Sequence, residues 1–219
     1  TGVGLTFPIV SMIVAFAGLF GMGGAPLCSI ARGRGEERQA QAIMQNSFWM
    51  LLFTGVSLTV AGYLIKRSLL YGLGASDATY PYASAYLDIY LLGCLFVMIG
   101  LGMNPYINAQ GFGKTGMITV ALGAVINIVL DPLFIFVFHM GVRGAALATV
   151  IAQFCSALWV VLFLTGNKPI LRLKFCLGIP DWSIVGQITV LGISSFIMNF
   201  TNSIVQIVCN RQLQFYGGD

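Results

Sequence analysis

One carboxylate, Asp131, stands inside a long apolar stretch of this 219-residue chain. An ionisable side chain in a membrane helix costs roughly 2.5 to 3.5 kcal/mol on insertion scales, so it must face protein or water and is a functional candidate. Asn127 lies one helical turn earlier, so the two side chains share a face and could bind one cation or share one proton. Pro132 removes a backbone donor and crowds the carbonyl of Ile128, which predicts a loosened helix beside the acid. The alternative is an Asp that only ties two helices together.

Two further polar side chains are Thr149, which ends a segment rich in small residues at 141–149, and Gln153, which lies one helical turn later. Small residues permit close approach of helix backbones, so this segment is expected to pack against the segment that carries Asp131. At a spacing of four, Thr149 and Gln153 would present a hydroxyl and an amide to that neighbour. For Thr149, simple hydrogen bonding between helices is the alternative.

The last apolar segment carries a polar residue at every third or fourth position. A lipid-facing stripe of this kind would be costly, so it is expected to face a cavity or other helices. The stripe consists of Ser195, Asn199, Asn202, Gln206 and Asn210.

The segments that must position these residues are membrane spans. The chain is 58% hydrophobic and 8% charged, against roughly one quarter charged in soluble domains. Six segments reach the roughly 20 residues that a membrane helix needs, and their continuous apolarity argues against barrel strands, which alternate. The sequence therefore predicts an all-α integral membrane protein with spans at 1–31, 39–65, 89–113, 115–142, 144–167 and 182–210.

The cations are distributed unevenly over the loops. Seven of the eleven follow the first, third and fifth spans, and the positive-inside rule makes those loops cytoplasmic. They are Arg32, Arg34, Arg38, Lys114, Lys168, Arg172 and Lys174.

Both chain ends are interpreted as truncations, because the sequence starts within an apolar run and stops just after a helix. The scattered cysteines show no metal-ligand spacing, so no metal is expected beyond a Na⁺ ion at the polar residues.

Two stretches together, 127–135 and 141–149, resemble the multidrug and toxic compound extrusion (MATE) family. Residues 21–25 with Ser29, and Asn104 before Gly111, support this resemblance. It spans essentially the whole chain and corresponds to helices two to seven of the family's twelve.

The resemblance implies a polytopic helical transporter bundle, with two six-helix lobes in the full protein related by an axis along the membrane normal. On this basis 1–167 is the remainder of the N-terminal lobe, with five helices. Residues 168–182 form a cytoplasmic inter-lobe linker, and 183–219 the first helix of the C-terminal lobe.

The resemblance also implies a function: secondary active efflux of organic, mostly cationic drugs or toxic compounds by antiport with Na⁺ or H⁺, and no enzymatic activity. It assigns cation coupling to Asn127, Asp131 and Thr149, with Asn104 in an adjoining polar network. Residues Gln153, Asn199, Asn202 and Gln206 are expected to extend that network. No cofactor other than the coupling ion and no nucleic-acid partner is expected. The transporter is expected to be a monomer that crosses the cell membrane, a bacterial inner membrane, several times.

Two other classes compete with this interpretation. A flippase for lipid-linked oligosaccharides of the same superfamily would line its cavity with cations that bind phosphate, and the predicted spans contain none. A membrane-embedded enzyme would need converging catalytic groups such as acidic pairs, and only one acid lies deep in a span. A structural role is the remaining alternative.

Overall fold

The computed structural model describes residues 2–73, 75–174 and 180–217, and this part of the chain contains helices but no strand. All six long helices are long and apolar enough to cross a membrane, which confirms the predicted all-α, multi-pass fold. A 3₁₀ turn precedes the first helix and a π-helical turn follows the fourth. The helices are α1 (Phe7–Gly33), α2 (Glu37–Gly72), α3 (Tyr80–Ala109), α4 (Gly113–Pro132), α5 (Val142–Thr165) and α6 (Trp182–Gly217).

Helices α2 and α3 are longer than predicted at the end opposite the basic loops. α2 continues to Gly72 and α3 begins at Tyr80, whereas the predicted spans stopped at residue 65 and began at residue 89. The charges taken as span boundaries are paired with each other: Lys66 Nζ lies 2.6 Å from Asp88 Oδ1. Because the pair satisfies both charges, each helix continues past it.

The centre of the bundle is formed by α1 and α3. α1 packs against α2, α3 and α6, and α3 packs against α5 as well. α4 lies at the periphery and packs mainly on α5, and only Gly116 and Thr119 of α4 are buried. Its outer face is apolar and exposed, as at Met117, Val125 and Ile128. The polar face of α4 is therefore turned toward α3 and α5.

The turns after α1 and α3 are built alike. Each places a glycine in the left-handed region, Gly35 at φ 78° and Gly111 at φ 89°. In each, an amide beyond the glycine bonds back to the last helical turn, as in a Schellman motif. Arg32 donates from Nη1 to the carbonyl oxygen of Ala109 (2.7 Å), which joins the two turns. Both therefore lie at one end of the bundle, the end predicted to be cytoplasmic.

The predicted linker, 168–182, is described only in part, because residues 175–179 lie outside the described residues. Its first part crosses the end of the bundle that carries the turns at Gly35 and Gly111. Leu171 and Leu173 are buried in the main core, and the amide of Leu171 donates to Gln110 Oε1 at 2.8 Å. The start of the linker is therefore fixed to the five preceding helices.

Candidate functional site

A cavity of about 290 Å³ lies between α3, α4 and α5, with room for about ten water molecules. Its remaining wall is formed by small or apolar residues. Four residues predicted from the sequence line it, together with two that were not. The polar lining consists of Asn104, Thr119, Asn127, Thr149, Gln153 and Ser156.

The cavity exists because polar and small residues recur every three or four positions on the facing helices. On α4 these are Thr119, Gly123 and Asn127, and on α5 they include Thr149 and Ser156. A methyl group on Gly123 would come within 2.5 Å of Ser156 Oγ. The glycine therefore keeps the middle of the cavity open.

Asn127 and Thr149 join the two walls. Asn127 Nδ2 donates to Thr149 Oγ1 at 3.4 Å, and the threonine hydroxyl donates to the carbonyl oxygen of Ala145 at 3.0 Å. The buried side chain of Tyr86 on α3 lies beside Thr149 and Asp131. Two of the three predicted coupling residues thus lie in direct contact.

Asp131 lies one turn beyond Asn127, at the end of α4. Its Oδ1 atom is buried and has no hydrogen-bond partner within the part of the chain that the structure describes. Immediately after Pro132 the helix widens into a π-helical turn, Leu133–Val137. The amide of Phe138 bonds to the carbonyl of Leu133, five residues back. The irregular turn therefore follows Pro132, whereas the sequence predicted a loosened helix at the carbonyl of Ile128, one turn before it.

A second unpartnered oxygen belongs to Asn104 on α3. Its Oδ1 atom is buried and receives no hydrogen bond from the described residues. The next residue, Pro105, lacks an N–H, so the carbonyl of Leu101 loses its usual helical donor. Leu101 also lines the cavity. Unpaired amide, carbonyl and carboxylate oxygens are the ligands that hard cations prefer.

The cavity region suits a monovalent cation better than a transition metal. In the described residues, no three His, Cys, Asp or Glu side chains gather to hold a metal ion. The polar lining is neutral, and the carboxylate of Asp131 lies one helical turn beyond Asn127 of that lining. A site with a single negative charge and several neutral oxygens balances one positive charge.

The α6 members of the predicted polar network lie elsewhere. Asn199 Nδ2 donates to the carbonyl of Ser195 in its own helix (2.9 Å), and Gln206 Oε1 accepts from Ser11 Oγ of α1 (3.4 Å). Asn202 is exposed. Because α6 packs along α1 and not along α5, the structure divides the predicted network into two places. Its α3 and α5 members line the cavity, and its α6 members do not.

Three residues of this region were missed from the sequence. Thr119 lies two turns before Asn127 on the same face, and Ser156 three residues after Gln153, so the spacing that found the others could have found both. Tyr86 gave no such signal, because an aromatic residue near a helix end is typical of the membrane interface. In the structure it is buried beside Thr149.

Comparison with known proteins gives consistent matches. The MatE family profile matches residues 1–133. The multidrug export protein MepA of Staphylococcus aureus (strain MRSA252) is 25% identical over 217 residues, which are 99% of this chain and 48% of MepA. The inward-facing conformation of a multidrug resistance MATE family transporter of the MOP superfamily matches with a TM-score of 0.89 at 26% identity. That match covers 94% of this chain and 47% of the other.

A third relative comes from Pyrococcus furiosus Vc1 (DSM3638). It is a MOP superfamily transporter for which reverse polarity of the binding pocket suggests a different function. It matches with a TM-score of 0.88 at 26% identity, over 100% of this chain and 48% of its own.

These relatives are transporters and not enzymes, and the chain spans about half of their length. The six membrane-length helices agree with a multi-pass protein of the cell membrane. The family profile covers 133 of the 219 residues, and the solved relatives share the arrangement of the helices. The resemblance found in the sequence is thereby confirmed, and the chain belongs to the MatE family.

Proposed function

We propose that the transporter containing this chain exports organic, mostly cationic compounds by antiport with Na⁺ or H⁺. The observation that carries the proposal is the buried, unpartnered Oδ1 of Asp131 within a membrane-length helix. An unpartnered carboxylate oxygen in such a place needs a cation or a proton. The Asn127–Thr149 pair one turn away offers further oxygen ligands.

Coupling follows from the charge of Asp131. An ion arriving from outside neutralises the carboxylate, and a membrane potential that is negative inside contributes about 2.3 kcal/mol per charge per 100 mV to its entry. Binding favours whichever conformation holds the ion more tightly. In an antiporter that conformation releases the exported compound to the outside. Return of the ion to the cytoplasm then resets the cycle.

The lack of basic residues in the predicted spans favours cationic compounds over phosphate-bearing lipids. Phosphate recognition relies on Arg and Lys side chains, and the six predicted spans contain neither. A flippase for lipid-linked oligosaccharides remains the second candidate for this chain.

The test uses the full-length transporter in inverted membrane vesicles. A fluorescent cationic dye is added outside, and a Na⁺ gradient or a proton gradient is directed out of the lumen. We expect one gradient to drive dye into the lumen, and Asp131→Asn to reduce the driven uptake at least tenfold.

The matched control is Asp77→Asn, in the loop between α2 and α3, where the acid accepts from Tyr71 at 2.9 Å. This variant should transport like the unmodified protein. Dye movement that is indifferent to both gradients, or unaffected by Asp131→Asn, would refute ion-coupled efflux. Transfer of a fluorescent lipid-linked oligosaccharide under the same conditions would favour the flippase.

A further inference from the structure

We infer that the cavity between α3, α4 and α5 is a hydrated passage through which the coupling ion leaves toward the cytoplasm, inside this lobe and apart from the drug's route. The inference rests on the proposed ion coupling. It concerns the residues on the cytoplasmic side of the Asn127–Thr149 pair, which we call the polar passage. They are Asn104, Thr119, Gln153 and Ser156.

The direction of the passage follows from the order of its residues. On α4, the lining runs from Asn127 back to Thr119, toward the cytoplasmic start of the helix at Gly113. Eight residues of helix span about 12 Å. On α5, the lining runs from Thr149 to Ser156, toward the cytoplasmic end of that helix. Both walls therefore lead from the coupling pair in one direction.

Oxygen atoms continue along the passage. Gln153 Oε1 faces α3 beside Gly100, and Asn104 Oδ1 on the same wall is unpartnered. Ser156 Oγ donates to the carbonyl of Thr119 at 3.3 Å, where the two walls meet. A cation can thus exchange one set of oxygens for the next.

The cytoplasmic mouth is marked by Asn108, one turn beyond Asn104 on the same face of α3. Asn108 is exposed, and its side chain lies against the backbone of Gly116 on α4. A polar side chain therefore stands between the cavity and the surface at this end of α3. The turn at Gly111, which lies at the end with the basic loops, follows immediately.

The lining suits transit better than storage. Its polar groups are neutral amides, hydroxyls and carbonyls, and conduction requires binding that is strong enough for entry but weak enough for release. The carboxylate that would hold a cation tightly, Asp131, lies beyond Asn127 at the far end from the cytoplasm. An ion released from Asp131 therefore meets only neutral ligands along the described lining.

The narrow point of the passage is Gly123, because a methyl group there would come within 2.5 Å of Ser156 Oγ. Leucine at this position would close the passage without changing charge. Ala121 of the same helix is exposed, on the face turned away from the passage. It provides matched controls for cysteine and leucine substitutions.

The experiment measures access of Ag⁺, a small monovalent cation that binds thiols, to single cysteines in the full-length transporter without its native cysteines. Inverted vesicles present the cytoplasmic face to the added Ag⁺. Thiols left unreacted are alkylated after solubilisation and counted by mass. We expect Thr119→Cys and Thr149→Cys to react at least tenfold faster than Ala121→Cys.

Adding Gly123→Leu separates the two ends of the passage. Reaction at Thr149→Cys should slow at least tenfold, while Thr119→Cys, on the cytoplasmic side of the block, should keep its rate. If Thr119→Cys reacts no faster than Ala121→Cys, the cavity is closed to the cytoplasm and the inference is wrong. If the block does not slow Thr149→Cys, the ion uses another route and the inference is equally wrong.

A second measurement avoids cysteine variants that fail to fold. In the otherwise intact transporter, Gly123→Leu should retain equilibrium dye binding in detergent but lose at least tenfold in gradient-driven uptake, whereas Ala121→Leu should lose neither. The reaction of Ag⁺ with the cysteines does not depend on transport, so the two proposals can fail separately. If Ag⁺ reacts in the expected pattern but no ion gradient drives dye uptake, only the proposed function is refuted. If an ion gradient drives dye uptake but Ag⁺ does not react in that pattern, only the passage is refuted.

Discussion

Gly23 of α1 and Gly192 of α6 are in backbone contact, since a methyl group on Gly23 would lie 2.9 Å from the Cα atom of Gly192. In the other direction, a methyl group on Gly192 would lie 2.8 Å from the carbonyl carbon of Leu19. The helices therefore cross where neither carries a side chain, as small residues allow in membrane proteins.

We expect Gly192→Ala to destabilise the transporter by about 1–3 kcal/mol, because added atoms in a packed interface force backbone shifts. The midpoint of thermal unfolding in detergent measures the effect. Gly186→Ala in the same helix is the control, since no atom lies near its added methyl group. Equal midpoints for the two variants would contradict the close crossing.

A second prediction concerns the hydroxyl of Thr149. Thr149→Val keeps the shape but removes the acceptor for Asn127 Nδ2 and should weaken ion affinity about 2- to 10-fold, the usual net value of one hydrogen bond. Thr149→Ser keeps the hydroxyl and should stay within about twofold. The ion concentration at half-maximal efflux is the readout. Unchanged affinity in Thr149→Val would show that the hydroxyl plays no part in ion binding.

A third prediction concerns the linker. Leu171 is 2% exposed and its amide is held by Gln110, so Gln110→Leu leaves a buried donor unpaired at a cost of about 1–3 kcal/mol. The start of the linker around Leu171 should then detach from the bundle more often, and trypsin should cleave faster after Arg172 and Lys174. Gln39→Leu, at an exposed site, is the control. Unchanged cleavage in Gln110→Leu would mean that the linker is held by other contacts.

The number and kind of the helices could be predicted from the sequence because the bilayer imposes a length and a composition on each span. The pairing of Asn127 with Thr149 could also be predicted from the sequence. The small residues at 141–149 indicate close packing with α4, and a spacing of four residues fixes the face on which Asn127 and Asp131 lie.

The position of α6 in the bundle could not be predicted from the sequence. Its polar stripe indicates a face that avoids lipid, but periodicity within one helix does not say which neighbour covers that face. The answer depends on the contact of Gly23 with Gly192, two residues that are far apart in the sequence. The ends of α2 and α3 were misplaced for a similar reason, because a charge next to an apolar run does not reveal whether it is paired.

The last prediction concerns that pair. Lys66 Nζ and Asp88 Oδ1 are 2.6 Å apart, with the side chains 20% and 43% exposed. Partly exposed ion pairs contribute at most about 1 kcal/mol, because solvent screens them. Asp88→Asn should therefore lower the unfolding midpoint only slightly and leave gradient-driven dye uptake unchanged. The charge-swapped double variant, Lys66→Asp with Asp88→Lys, should restore any loss of stability.

The expected result for Asp88→Asn contrasts with that for Asp131→Asn. Each substitution removes one carboxylate from a membrane-length helix, but of the two acids only Asp131 lacks a partner among the described residues. Loss of coupled uptake in Asp88→Asn with normal uptake in Asp131→Asn would reverse the assignment and place ion coupling at the external end of α3.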